Sequence, residues 1–488
     1  MGIVLRQSVQ NTVITYIGFA IGAVNALMMY PHFLGKTYYG LTAFLLSSAN
    51  IMMPLMAFGV HNTLVKFYSG YRTERERSQF LGFMLILPLA AFVPIGIASA
   101  LFYPEIVGEL SRKNPIIADF AWLIVAVGFC MGYFEIFYAW AKVHMKSVYG
   151  NFIREVLLRV LVSIFLLMVY FDWITPATFI YCTAGIYLAT TLMMAVAALR
   201  IKLPEFKFQI VTKSRPMLVY SVFIIMSGSV AVLLLDIDKF MLGQMLKIDN
   251  VAYYSVAIFI ATVVAVPSRA MHQITYPITA RLMHEDKWVE LNELYKRTSV
   301  SLQVVGGYVL LGILINLEML YELLPEGYSE GVFVVFAIGL SKYFDLMLGN
   351  NNAIIFNSKY YKMVLVLGLL LGVLAVGLNY LAIPRFGIDG AALATLISIL
   401  LYSFAKLLFV VLKMKLFPFT IANLHAIILG MVLFAGFYFW DFGLHPLIAI
   451  ILKSVLMSIV YWMAIIKFRI SRDVYELAVR TLPVLKRF

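Results

Sequence analysis

The chain is built from apolar runs, each about as long as the roughly 20 residues that a helix needs to cross a bilayer. Hydropathy and the charged or Pro/Gly clusters between the runs give about fourteen of them. Hydrophobic residues make up 62% of the 488 residues and charged residues 13%, too few to cover a water-exposed surface. Long continuous runs also argue against a membrane barrel, whose strands alternate. The sequence therefore predicts an all-α, polytopic membrane protein.

The basic residues predict the orientation. An even number of spans puts both termini on one side, where 29 of the 38 Lys and Arg residues then fall, against six on the other side. Because cytoplasmic loops are enriched in basic residues, we expect both termini to be cytoplasmic. Orientation also explains the net charge of +13, so we expect no nucleic acid. The predicted spans lie near residues 9–30, 41–67, 79–103, 116–140, 152–172, 177–199, 216–238, 251–280, 298–320, 331–356, 362–383, 388–411, 419–440 and 446–467.

A weak internal repeat suggests two lobes. Residues 33–43 and 241–257 share a pattern, and Pro54 and Pro267 follow the two copies at similar distances. Both copies run outward to inward, which predicts lobes related by an axis along the membrane normal. We expect an N-terminal lobe at residues 1–200 (helices 1–6) and a C-terminal lobe at 201–415 (helices 7–12). Helices 13 and 14 follow at 416–468, and a cytoplasmic amphipathic tail at 469–488.

The eighth span, Tyr253 to Arg281, is the predicted wall of a transport pathway. It is apolar, yet it contains Pro267, Pro277 and Arg269. Proline frees a backbone carbonyl, and an arginine at membrane depth is costly unless it faces protein or water. We expect kinks at Pro54, Pro267 and Pro277, and we expect Arg269 to bind an anionic cargo. An ion pair with a carboxylate of another helix is the alternative for Arg269.

Three further charged residues within spans are candidate substrate-binding residues. Lys342 and Asp345 lie three apart on one helix, so they either pair locally or form a proton-linked or cargo-linked switch. Glu135 lies among aromatic residues in the fourth span, where it is either functional or paired with Arg269 or Lys342.

Nothing in the sequence indicates an enzyme. The predicted outside loops are short, and no nucleophile–base constellation is recognisable, so we expect no catalytic residues. Cys130 and Cys182 form neither a disulfide framework nor a metal motif, and we expect no metal and no cofactor. No small-residue cleavage site precedes the first span, so we expect that segment to remain as a helix.

Three stretches resemble the polysaccharide and O-antigen flippases (Wzx-like) of the multidrug/oligosaccharidyl-lipid/polysaccharide exporter superfamily. They are residues 30–40 (YPHFLGKTYYG), 238–243 (DKFMLG) and 383–392 (IPRFGIDGAA). A small-residue turn at Gly349 to Asn352 and the sequence SKYY at 358–361 also match the family. The resemblance covers essentially the whole chain, including its length and its number of helices.

The resemblance implies a flippase of the bacterial inner membrane that works by alternating access. Its cargo would be an undecaprenyl-diphosphate-linked oligosaccharide for surface polysaccharide, such as the O-antigen of lipopolysaccharide. A polysaccharide polymerase or glycosyltransferase would be a partner. The related lipid II flippases carry arginines in their first two helices, where this chain has Asn25 and His61 instead, so lipid II is a less favoured cargo.

A second function from the same superfamily is multidrug or toxin export coupled to an ion gradient. A cation exporter needs an acidic cavity, whereas Arg269, Lys342 and Lys453 give the predicted membrane interior a basic balance. The sequence therefore favours an anionic cargo.

Overall fold

Helices form all of the regular secondary structure in the part of the chain that the structure, a computed structural model, describes: residues 2–206, 214–227, 230–440 and 442–481. This follows from the solvent, because a bilayer offers no hydrogen-bond partners and an isolated segment can satisfy its backbone there only as a helix. The chain divides into two compact units, Met1–Ser255 and Val256–Phe488. The predicted lobe boundary at residue 200 stays a prediction.

The α-helices are numbered in chain order. The first unit contains α1 Gly2–Val24, α2 Gly35–Met56, α3 Val60–Phe67, α4 Glu74–Ile86, α5 Leu89–Leu101, α6 Tyr103–Ser111, α7 Trp122–Val143, α8 Ser147–Phe152, α9 Leu158–Tyr170, α10 Pro176–Ile201, α11 Ser214–Ser227 and α12 Val230–Met245. The unit boundary falls within α13 Asp249–Thr262. The second unit contains α14 Val266–His284, α15 Trp288–Ile315, α16 Leu317–Glu322, α17 Val332–Met347, α18 Asn351–Asn357, α19 Lys362–Met414, α20 Ile421–Tyr438, α21 Pro446–Lys467 and α22 Arg472–Thr481.

Each predicted span coincides with a helix or a broken helix. Nine helices within the described ranges are long and apolar enough to cross a membrane. Two of these, Gln10–Met56 and Lys362–Met414, each contain two predicted spans, and Gly387 kinks the second with φ 59° and ψ −134°. A tenth span is broken, because Tyr328–Met347 and Asn351–Asn357 meet at 54°. The two remaining predicted spans, 152–172 and 216–238, correspond to α8 with α9 and to α11 with α12. The all-α polytopic fold class is therefore confirmed.

The helix breaks near the predicted prolines differ from one another. Helix α2 continues through Pro54 and ends at Met56, and Phe58 and Gly59 then adopt positive φ before α3 begins. Pro267 lies in the first turn of α14, directly after the 3₁₀ turn Val263–Ala265. Pro277 lies inside α14, which continues past it.

The beginnings of the two repeat copies pack against each other within the first unit. The Thr37 hydroxyl donates a hydrogen bond of 2.8 Å to Asp249. A Cβ atom on Gly40 would lie 2.1 Å from the carbonyl oxygen of Ile248, and one on Gly243 would lie 2.3 Å from the Phe44 ring. Helix α2 therefore approaches both α12 and the turn before α13 closely, because glycine occupies both contact positions.

The C-terminal helix of the second unit is held against α15. Helix α22 begins at Arg472, and its Asp473 forms an ion pair with Arg297 of α15. The Ser301 hydroxyl also donates to Asp473, at 3.1 Å. The rest of the predicted tail, residues 482–488, lies outside the described residues.

We predict that Gly40→Ala lowers the thermal unfolding midpoint of the purified protein in detergent. The new methyl group would meet a backbone carbonyl, so the helices must separate, at a cost of about 1–3 kcal/mol. Gly96→Ala in α5 is the matched control, because no atom lies within 4 Å of its Cβ position. Its midpoint should stay the same or rise, since alanine favours a helix. Equal midpoints for the two variants would contradict the packing argument.

Candidate functional site

Arg269 lies on an exposed stripe of α14. The exposed residues of this helix include Arg269, Gln273, Pro277 and Arg281, each four apart, with the apolar Ile274 beside them. Within the described ranges Arg269 forms no ion pair with a carboxylate. A lipid-facing stripe would be apolar, because a guanidinium in hydrocarbon is costly. The stripe therefore has the composition of a surface that faces water or a polar ligand.

In the first unit, Glu135 belongs to a chain of alternating charges that we name the first charge cluster: Glu135, Arg154, Glu155 and Arg159. A guanidinium nitrogen of Arg154 lies 3.3 Å from Glu135, and another lies 3.3 Å from Glu155. Glu155 in turn lies 2.8 Å from Arg159. Positive and negative charges thus alternate in this cluster, as burial within a membrane protein favours, and Lys142 also acts electrostatically on Glu135.

Local backbone geometry brings these four side chains together. Glu135 lies on α7, whereas Arg154 and Glu155 lie in the π-helical turn Ile153–Leu157 that joins α8 to α9. A π-helical turn inserts an extra residue and changes the direction of the side chains, and such turns are frequent at functional sites. Space for Arg159 comes from α1, because a Cβ atom on Gly18 would lie 2.7 Å from the Arg159 guanidinium.

The first charge cluster lines a cavity of about 260 Å³. Arg154 is the most exposed of its charged side chains at 41%, and Glu155 is the least exposed at 13%. Guanidinium groups offer paired donors to a phosphate, and hydroxyl and amide groups suit sugars. The lining residues are Asn50, Met53, Met131, Phe134, Glu135, Arg154, Glu155, Leu158, Arg159, Tyr187 and Thr190.

The second unit contains its own second charge cluster: Lys342, Asp345 and Lys406. The Lys406 ammonium lies 3.1 Å from Asp345 and 3.2 Å from the side-chain oxygen of Asn352. It also lies 4.3 Å from the centre of the Tyr402 ring. Lys406 is buried, whereas the Asp345 side chain is 45% exposed. The Lys406 ammonium is therefore enclosed by its partners, whereas the Asp345 side chain is partly exposed.

The predicted site residues thus fall into three places. Glu135 pairs with Arg154, and Asp345 pairs with Lys406, while Lys342 also acts electrostatically on Asp345. Within the described part of the second unit, Arg269 forms no hydrogen bond with Lys342 and no ion pair with Asp345. The roles of all four residues in substrate binding stay predictions.

The sequence analysis did not predict the partners Arg154, Arg159 and Lys406. It included all three among the 29 basic residues assigned to the cytoplasmic side. A signal was present, because all three lie within the predicted spans 152–172 and 388–411. Tyr402 lies one helical turn before Lys406, which suits a cation–π contact.

The family follows from a sequence model described as "Polysaccharide biosynthesis protein", which matches residues 4–283, more than half of the chain. The chain belongs to this family. Among curated proteins, no sequence matches it significantly.

Solved structures of low sequence identity share the fold. The lipid II flippase MurJ, in an inward closed conformation, is 14% identical over 95% of this chain and 100% of its own, with a TM-score of 0.71. A multidrug resistance MATE family transporter in an outward-facing conformation is 15% identical over 84% of this chain and 95% of its own, with a TM-score of 0.59. A MOP superfamily transporter from Pyrococcus furiosus is 15% identical over the same shares, with a TM-score of 0.57. The resemblance drawn from the motifs is confirmed for family and fold.

We predict that Asp345→Asn destabilises the second unit. The substitution leaves the buried Lys406 ammonium without its counter-charge, which costs about 2–3 kcal/mol in unfolding free energy. The thermal unfolding midpoint in detergent should fall accordingly.

The control for this prediction is the double variant Asp345→Asn/Lys406→Met. It removes the buried charge as well and should recover most of the lost stability. A double variant no more stable than Asp345→Asn alone would show that the ion pair is not the cause.

Proposed function

We propose that the protein is a flippase of the bacterial inner membrane that moves an undecaprenyl-diphosphate-linked oligosaccharide from the cytoplasmic to the periplasmic leaflet. The transported oligosaccharide serves surface polysaccharide biosynthesis, and the two lobes work by alternating access. Membership of the polysaccharide biosynthesis family and a fold shared with a lipid flippase support the class of cargo.

The exposed stripe of α14 is the observation that carries this proposal. Arg269, Gln273 and Arg281 are exposed along one helix of a multi-pass membrane protein. No carboxylate in the described ranges pairs with Arg269, so its guanidinium has donors available for a ligand. A diphosphate is the part of the cargo that accepts paired, charge-assisted hydrogen bonds from arginine.

The first charge cluster supports a second contact with the cargo. Arg154 is held by Glu135 and Glu155, each at 3.3 Å, and its side chain is 41% exposed in the cavity. An anionic or hydroxyl-rich group that enters the cavity competes with Glu135 for Arg154. If Arg154 exchanges Glu135 for the cargo, the contact between α7 and the π-helical turn is lost. Cargo binding would then favour one arrangement of these helices over another, as alternating access requires.

Multidrug export coupled to an ion gradient is the alternative. A cationic drug needs carboxylates that are free to bind it. In this chain Glu135 and Asp345 are both paired with cations, Arg154 and Lys406. The flippase remains the favoured function.

We infer further that both termini are cytoplasmic and that a polymerase or glycosyltransferase of the same pathway is a partner. The bias of basic residues supports the orientation. Modification of single cysteines by a membrane-impermeant thiol reagent in intact cells tests it.

Deletion of the gene tests the class of cargo. We expect lipid-linked repeat units to accumulate on the cytoplasmic face of the inner membrane, because their synthesis continues without export. Extraction of the lipid fraction and mass spectrometry measure the total amount of lipid-linked repeat units that accumulates. Drug sensitivity without any accumulation would favour the exporter instead.

We predict that Arg269→Ala slows the movement of the lipid-linked oligosaccharide between the two leaflets of proteoliposomes by about tenfold or more, since a charge-assisted contact is worth about 1.5–3 kcal/mol. Arg269→Lys should retain part of the activity, because lysine keeps the charge but loses the paired donors. Arg269 is exposed, so neither variant should change the unfolding midpoint.

Ile274→Ala is the matched control, because Ile274 is 64% exposed beside the same stripe. It should transport at the unmodified rate. Full activity in Arg269→Ala would refute the proposed role of the arginine.

A further inference from the structure

A polar cavity of the second unit lies far from the Arg269 end of α14. Its volume is about 560 Å³, and it lies where α14, α18 and α19 end and α15 begins. From Arg269 to His284 the helix spans fifteen residues, or about 22 Å. The cavity is lined by Ala280, Met283, His284, Trp288, Asn357, Ser358, Lys359, Tyr360, Lys413 and Met414. We name it the basic pocket.

Three separate elements bring basic side chains to the basic pocket. His284 is the last residue of α14, Lys359 lies in the turn between α18 and α19, and Lys413 lies in the last turn of α19. Asn357 and Ser358 add neutral polar groups. Among the described residues that line the pocket, none is acidic.

The three basic side chains of the basic pocket have few charged neighbours, although the charge of His284 acts on the adjacent Glu285. His284, Lys359 and Lys413 are all exposed, and none forms an ion pair in the part of the chain that the structure describes. The Lys359 ammonium lies only near its neighbour Tyr360, 5.2 Å from the ring centre. The nearby carboxylate of Glu285 is engaged by Lys287 at 2.8 Å.

Some basic residues that the orientation rule assigns to the same side of the first unit form ion pairs instead. Arg77 lies 3.0 Å from Glu74, and Lys202 pairs with the same carboxylate. Arg75 lies 3.7 Å from Glu205. The general enrichment of cytoplasmic loops in Lys and Arg explains basic residues in both units, but it does not explain three basic groups around one cavity that form no ion pair in the described ranges.

We propose that the basic pocket binds a phosphate group at the membrane surface. Two ammonium groups, an imidazole and a serine hydroxyl match the several acceptor oxygens of a phosphate, and charge-assisted hydrogen bonds of this kind are strong. The exposed Trp288 at the pocket suits the interfacial zone, where tryptophan is enriched. Basic pockets between helices on the cytoplasmic side commonly hold anionic lipid headgroups. The ligand is an anionic phospholipid headgroup or a soluble phosphate, and the shared chemistry is the phosphate.

Binding to the full chain purified in detergent tests this site without any transport assay. One arm adds phosphatidylglycerol in mixed micelles, with phosphatidylcholine as the zwitterionic reference, and the other adds sodium pyrophosphate. Binding of each ligand is measured by the rise in the thermal unfolding midpoint with ligand concentration. The salt concentration is about 0.15 M, so that distant charges are screened. Saturable stabilisation by the lipid or by pyrophosphate supports the proposal and identifies the source of the phosphate.

The variant Lys359→Gln/Lys413→Gln should bind the stabilising ligand about tenfold or more weakly. The matched control is Lys362→Gln/Lys415→Gln, which removes two exposed lysines nearby that do not line the pocket. It should bind within about twofold of the unmodified protein, because screened charges outside the pocket contribute little. Equal losses in both variants, or no saturable stabilisation by either ligand, would overturn the proposal. Loss of transport in Arg269→Ala bears on the proposed function alone.

Discussion

The absence of hydrogen-bond partners in the bilayer core is the constraint on which this structure depends. Each unsatisfied backbone group there costs several kcal/mol, so each break in a helix needs a local partner. The break between α17 and α18 follows this rule. Gly349 adopts φ 55°, the Ser299 hydroxyl donates to the Met347 carbonyl at 2.5 Å, and the Gly349 backbone N–H donates to the Leu346 carbonyl at 2.9 Å. The π-helical segment Asn25–Leu34 also has local partners, because the His32 ring donates to the Met28 carbonyl at 2.8 Å and the Tyr39 hydroxyl donates to the Ala26 carbonyl at 3.5 Å.

Charged side chains in the spanning helices also have partners. The first charge cluster alternates two arginines with two glutamates, and the second encloses Lys406 between Asp345, Asn352 and the Tyr402 ring. Lys453 is buried and donates to the carbonyl of Tyr438, the last residue of α20, where the helix dipole favours a cation. The exposed guanidinium of Arg269 and the basic side chains of the basic pocket differ from these paired charges, because they form no ion pair in the described part of the chain.

Some elements of the site were visible in the sequence because they break a local rule. An arginine and two prolines in one apolar span drew attention to α14, and a carboxylate among aromatic residues drew attention to Glu135. Their partners were not visible in the same way. Arg154 lies nineteen positions after Glu135, and Lys406 lies 61 positions after Asp345, so nothing in the local pattern connects them. Nothing in the sequence distinguishes Gly40 and Gly243 from Gly96. In the structure, however, Gly40 and Gly243 lie where another segment approaches closely, and Gly96 does not.

The sequence by itself determined the class of the protein and the number of its spanning helices, because both depend on the length and hydropathy of contiguous segments. It also drew attention to Pro267, which lies at the start of α14 directly after a 3₁₀ turn, since proline acts through the backbone of its own neighbourhood. Only the tertiary structure decided which charges are neutralised and which remain available. That outcome depends on distances between helices that are far apart in the chain, and hydropathy contains no information about those distances.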